Sequence, residues 1–272
     1  MSTAVPRPRA LGAFFAISFG FSWLVWSLLL FAPLDDALFV PVLFAGSFGP
    51  AIAALVLIVA REGGRGLADF LLRFVRVDGA LLRWLPFILL VFPALLVTGL
   101  WVHAALGGDP AKASDYLGGF ATLSGGAGLL GLMLIGGPLS EEPGWRGYAL
   151  DGLIAKGSAV RASVMLGLVW AAWHFPLFLV EGTSQHAKGM SFATLSWIVQ
   201  ILSLSLVMTL VHRRTGGSIL AAILLHLMAN MAYPLGLDVQ GELVFSALRI
   251  ALALGVVTML ARPRDARPQT HA

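Results

Sequence analysis

The chain contains no cysteine, so it has no disulfide framework, no thiol nucleophile and no thiolate metal site. It is also poor in charge: charged residues make up 12% of 272, about half the ~25% usual for a soluble domain. Short alternating strands, which a β-barrel would need, are missing as well. There is no internal repeat and no long soluble linker. The formal charge of +4 and pI near 10.0 do not indicate nucleic acid as a partner, because the basic residues are scattered through short connections, as membrane topology requires.

Hydrocarbon is what the chain has in abundance. Hydrophobic residues reach 58% and mean hydropathy is +0.87. Recurrent long apolar runs predict an all-α, polytopic membrane protein with about eight transmembrane helices. The expected spans are Leu11–Ala32, Leu38–Ala60, Trp84–Leu106, Ala121–Ile135, Ala162–Val180, Phe192–Val211, Ser218–Leu235 and Leu243–Ala261. Arg7 and Arg9 precede a run of about membrane-spanning length with no convincing small-residue cleavage site after it, which reads as a retained first helix. Gly46, Gly49 and Pro50 predict close packing or a kink in the second span. Gly125, Gly126, Gly128 and Gly131 suggest close packing in the fourth.

Basic residues fall mostly on one side of this frame. Arg61, Arg65, Arg73, Arg76, Arg83, Arg146, Lys156, Arg161, Arg213 and Arg214 occupy one set of connections together with the termini, whereas Lys112 and Lys188 occupy the other. The bias predicts cytoplasmic N- and C-termini. Residues 1–10 and 262–272 are then cytoplasmic tails around one membrane-embedded domain, 11–261, with its motif core at about 136–235. The expected location is a bacterial cell membrane. Arg61–Arg83, with Phe70, Leu71, Phe74 and Val77, reads as a topogenic loop or an amphipathic surface helix. Arg249, inside the eighth span, is expected to snorkel or to pair with an acid.

Three polar constellations interrupt the apolar sequence. The first is Gly136-Gly137-Pro138-Leu139-Ser140-Glu141-Glu142-Pro143-Gly144-Trp145-Arg146. Glu142 and Arg146 are spaced i, i+4 and can pair on a helix. Glu141 lies about 100° away, with no local partner. Gly136–Pro138 predicts a break, with a new helix starting near Ser140 as N-cap. The second constellation is Trp170-Ala171-Ala172-Trp173-His174-Phe175-Pro176, with Trp170 one turn before His174 on the same face. In the third, His226 and Asn230 share a face of the seventh span. Each alone has an ordinary structural reading: a solvated helix start, a packing histidine, a helix-joining hydrogen bond. Together they offer a general base, a water-orienting imidazole and oxyanion donors, the inventory for amide hydrolysis, in a wet cavity expected to open to the cytoplasm.

The three motifs, in this order and spacing, resemble those of the CAAX-protease and bacteriocin-processing family, the Rce1-type membrane endopeptidases. The resemblance covers roughly Gly136–Leu235. It implies that Glu141 and His174 activate the attacking water, that His226 and Asn230 stabilise the oxyanion, and that Glu142 and Arg146 hold the local structure, although Glu142 can share the base role. The family's second motif usually has phenylalanine four residues before the histidine. Trp170 keeps the aromatic ring and should tighten the pocket. A metal-free mechanism with no cofactor is preferred, because asparagine is a poor zinc ligand and no His-Glu-x-x-His helix exists. If zinc is used, its ligands would be Glu141, His174 and His226. The implied activity is hydrolysis near the cytoplasmic membrane face of a prenylated CAAX-type tail, a leader peptide or a membrane protein. The alternatives are a non-catalytic scaffold or immunity protein binding peptides in the same cavity and, less favoured, a transporter.

Overall fold

The computed structural model describes residues 8–109, 123–233 and 237–261. Residues 1–7 and 262–272 of the expected tails, Lys112 and the end of the seventh span at Leu235 lie outside these residues, while positions 8–10 of the expected N-terminal tail already belong to the first helix. All regular structure among the described residues is helical. The chain begins with α1 (Pro8–Phe31), α2 (Asp36–Ser47), α3 (Gly49–Val75) and α4 (Gly79–Ala105). Next come α5 (Leu123–Ile135), α6 (Pro138–Gly144), a π-helical turn (Trp145–Ala149) and α7 (Leu150–Ile154). Then follow α8 (Ala159–Trp173), a 3-10 turn (Phe175–Phe178), α9 (Ser184–Lys188), α10 (Phe192–Arg214), α11 (Ile219–Met231) and α12 (Val239–Ala261).

The eight expected apolar segments are mostly helical where described, but Ala162–Val180 leaves its α-helix after Trp173 and Ser218–Leu235 after Met231. Four helices are long and apolar enough to cross a membrane by themselves: α1 from Leu11, α4, α10 and α12. The pair α2 and α3, bent by 43°, makes a fifth if it is one span. The apolar helices α8 and α11 are shorter. The first is capped by His174 and the second closes one residue after Asn230, and irregular backbone at membrane depth is tolerated only where protein or a wet cavity satisfies it. Leu24, Leu90, Trp101 and Leu254 stand 70, 61, 75 and 63% exposed. Such outward-facing hydrocarbon on long helices is what lipid requires.

Close packing holds at the second span's break. A Cβ on Gly46 would collide with the Trp26 indole, and one on Gly49 with Ser22 and the Ser18 carbonyl. Trp26 Nε1 donates to the Leu43 carbonyl at 2.9 Å. The fourth span differs: a Cβ on Gly128 or Gly131 would meet nothing within 4 Å, so these two glycines mark no close contact.

The bundle has two chemically distinct ends. At one, Arg73 donates from Nε to the Gly217 carbonyl (2.8 Å) and from Nη1 to the Gly147 carbonyl (2.7 Å). His212 meets Asp151 there at 2.8 Å. At the other, His103 meets Asp238 at 3.0 Å and Gln240 donates to the Leu106 carbonyl. The segment Arg61–Arg83 is therefore more than a topogenic loop. It extends α3 through a break at Gly63 (φ 62°), buries Phe70 and ties α3 to two neighbouring elements through Arg73. Arg249 does not snorkel. It is 3% exposed, with its guanidinium 5.5 Å from the rings of both Tyr233 and Phe245.

Candidate active site

The site is built on the break that follows α5. Gly137 is the N-cap of α6, and Pro138 opens the helix, where a fixed φ and a missing N–H do no harm. The helix therefore starts earlier than expected. Ser140 lies inside it, and its Oγ donates to the Gly137 carbonyl at 3.0 Å. Pro143 cannot donate to the carbonyl one turn back. Beyond Gly144 the ladder widens into the π turn, closed by the Leu150 N–H on the Trp145 carbonyl. Such turns recur at functional sites. Gly144 lets α6 seat directly on Pro50, where a Cβ would overlap the proline backbone. The kink between α2 and α3 thus serves as the bed on which the carboxylates are set.

Glu142 and Arg146 pair as their spacing predicts, at 3.2 Å, and both are wholly buried. Arg146 is thus an internal group rather than part of a solvated connection. The pair is also less local than expected, because the same Glu142 oxygen takes His226 Nδ1 at 2.8 Å. Arg146 lies over Trp170, its guanidinium carbon 4.5 Å from the ring centroid.

Glu141 is 4% exposed and has a partner after all: Trp170 Nε1 donates to its Oε2 at 2.5 Å. The tryptophan in place of the family's usual phenylalanine therefore does more than fill space. It also stands edge-on to His226, with centroids 5.2 Å apart. The other oxygen, Oε1, faces Gly137. A Cβ built on Gly137 would lie 3.4 Å from Glu141 Oε1, 3.6 Å from His226 Nε2 and 3.2 Å from Asn230 Nδ2. Three polar atoms from two helices thus surround one point, left open by the absence of a side chain at Gly137.

His174 is the C-cap of α8, where backbone carbonyls lose their helical donors. Its Nδ1 takes the Trp170 carbonyl at 2.8 Å. A carbonyl only accepts, so Nδ1 carries the proton and Nε2 of the neutral ring keeps its lone pair. The ring is fixed edge-on against Trp173 and Trp197, with centroids 4.8 and 5.3 Å away. Trp23 Nε1 holds the neighbouring Trp173 carbonyl at 2.9 Å.

Glu141, Trp170, His174, His226 and Asn230 all line one cavity of about 380 Å³. Glu142 and Arg146 stand behind it. Its more accessible lining residues include Ser184, Gln185, Lys188 and Tyr233, and none of Arg73, Asp151, His212 and Gly217 from the arginine-rich end lines it. The lining thus reaches Lys188 and does not include Arg73. Among the described residues no group of three or more His, Asp or Glu side chains is placed to hold a metal ion, so Glu141, His174 and His226 do not form the ligand set named for zinc.

The spacing left three contributors unmarked. Arg73 is one of five arginines between Arg61 and Arg83, and nothing in the sequence singles it out. Gly137 was legible only as part of a break, and Lys188 only as a loop cation.

Trp170→Phe removes the 2.5 Å hydrogen bond on Glu141 Oε2 while keeping a ring. A bond to a charged group is worth about 1.5–3 kcal/mol, and each ~1.4 kcal/mol is tenfold in rate. We expect kcat to fall roughly ten- to a hundredfold with KM little changed. Steady-state kinetics check this, and a change confined to KM would contradict it.

The Rce1-like model, type II CAAX prenyl endopeptidase Rce1-like, matches residues 124–232. A CAAX prenyl protease 2 from Methanococcus maripaludis is 26% identical over 211 residues, which cover 77% of this chain and 77% of that protein. The matched stretch contains the break after α5, both carboxylates, both histidines and Asn230.

Proposed function

On the premise that this chain is a peptide hydrolase of the Rce1-like family, we propose that it is an intramembrane endopeptidase in which Glu141 and His174 activate water and His226 and Asn230 hold the oxyanion. The observation that carries this reading is the convergence of Glu141 Oε1, His226 Nε2 and Asn230 Nδ2 around Gly137, in the cavity that His174 also lines.

The scissile carbonyl lies beside Gly137. Water bound between Glu141 Oε1 and His174 Nε2 loses its proton to the carboxylate as it attacks, and the fixed tautomer of His174 makes its Nε2 an acceptor. The developing oxyanion faces Asn230 Nδ2 and His226 Nε2. His226 donates from Nε2 while its Nδ1–H stays on the Glu142 carboxylate, so it acts as an imidazolium whose charge Glu142 balances. Collapse breaks the C–N bond, and the proton held by Glu141 passes to the leaving amine. Peptide reaches the cavity from the Lys188 end. A prenylated CAAX-type tail is the substrate class that the relative's name suggests.

The test is a mass-spectrometric cleavage assay in liposomes. Its probe is a peptide bearing an S-farnesyl cysteine followed by two aliphatic residues and methionine, the CAAX pattern. Wild type should release the last three residues. His174→Ala should fold and lose about 10²- to 10⁴-fold in rate. Retained activity in that variant overturns the assignment, and binding without cleavage by wild type would favour a peptide-binding scaffold.

A further inference from the structure

The cavity has a polarity that the proposed chemistry does not use. Its acidic end holds Glu141 and its far end holds Lys188, on the short helix α9. The wall is mixed in character, and its apolar members include Phe44, Met133, Leu177 and Ile201. Lys188 is half-buried. Its Nζ donates to the Ser184 carbonyl at 3.0 Å and stands 5.2 Å from the Tyr233 ring centroid. Among the described residues no carboxylate lies within ion-pair distance of Nζ, although the buried Glu242 acts on it from farther off. Carbonyl and ring fix the ammonium's place while leaving donors free, since an ammonium carries three. Partial burial strengthens its attraction for an anion.

A ligand fitting this layout is an apolar peptide segment with a single negative charge at its end. We propose that Lys188 is the anchor for the C-terminal carboxylate of the substrate, setting the distance from the chain end at which Glu141 cuts. The inference rests on the protease reading above and adds the feature of the substrate that the cavity recognises. The carboxylate takes Lys188 Nζ as a charge-assisted donor, the last side chains lie against the apolar members of the wall, and the scissile carbonyl falls beside Gly137. Internal peptide bonds of membrane proteins offer no such terminal charge and would be poorer substrates.

Two forms of the farnesylated peptide test this, one ending in a free carboxylate and one in a carboxamide. Wild type should cleave the carboxylate form with kcat/KM roughly ten- to a hundredfold higher. Lys188→Gln should lose most of that preference through a fall on the carboxylate form, with the amide form cleaved as by wild type. Lys188→Arg should retain the preference. A preference that survives in Lys188→Gln overturns the anchor, as does equal cleavage of both forms by wild type. Either outcome leaves the protease reading intact, whereas no cleavage of either form by wild type counts against that reading itself. A measurement on wild type alone guards against a variant that fails to fold: the released tripeptide should inhibit more strongly as a carboxylate than as an amide, and equal inhibition overturns the proposal.

Discussion

Glu141→Gln should abolish cleavage while leaving the fold intact. Glutamine keeps the shape of the side chain and an oxygen for Trp170 Nε1, the partner seen at 2.5 Å. It cannot take a proton from water, so the base is lost without a cavity or an unpaired charge being created. Loss of a general base costs about 10²- to 10⁴-fold in rate. Among the described residues no ion pair joins Glu141, and its closest described partner is the neutral indole of Trp170. The melting temperature in detergent should therefore stay near that of wild type. Cleavage and thermal melting on the same preparation check both halves. Activity within a few-fold of wild type would remove Glu141 from the reaction. A folded but inactive variant that still binds the peptide would support the assignment directly.

The adjacent carboxylate should behave in the opposite way. Glu142 is fully buried and accepts from both Arg146 and His226. Glu142→Leu strands the Arg146 guanidinium, also fully buried, whose Nε and Nη2 already lack partners among the described residues. Breaking a buried pair from one side costs about 3–5 kcal/mol, a large share of the ~5–15 kcal/mol that holds a typical domain. The variant should melt far lower or fail to accumulate. Adding Arg146→Met removes the stranded charge and should restore much of the stability, since apolar replacement of a buried pair is often neutral. Activity should not return with it, because His226 would still lack the carboxylate that balances its charge. A double variant as active as wild type would confine Glu142 to structural support. A single variant that melts like wild type would contradict the buried pair.

These two neighbours show how much a short motif discloses. The i, i+4 spacing was enough to assign Arg146 to Glu142 and to set Glu141 apart, because helix geometry alone decides that. It did not disclose that His226, 84 positions away, shares the Glu142 oxygen, or that Trp170, 29 positions away, holds Glu141. Both contacts depend on how α6, α8 and α11 meet, and helical period carries no information about that. Ser140 shows a smaller miss of the same kind. It has the composition of an N-cap, but Pro138 starts the helix first and Gly137 takes the cap.

By itself the sequence determined the class of the protein. Its hydrocarbon content demands helices in lipid, because only closed hydrogen bonding within each segment is affordable there. Its three polar motifs marked the residues that now line or back one cavity. Tertiary structure alone decided where the cavity lies and what lines it. Counting residues from a helix start gives depth but not which side chains share a wall, and the cavity's lining runs from Glu141 to Lys188 without reaching Arg73. The lengths of α8 and α11 were decided there too, since they stop beside His174 and Asn230, which line the same cavity. So was the position of α6, which rests on Pro50 through the bare backbone of Gly144. The physical reason is common to all three: periodicity and burial cost are local properties of a chain, whereas access and convergence belong to the packing of several segments at once.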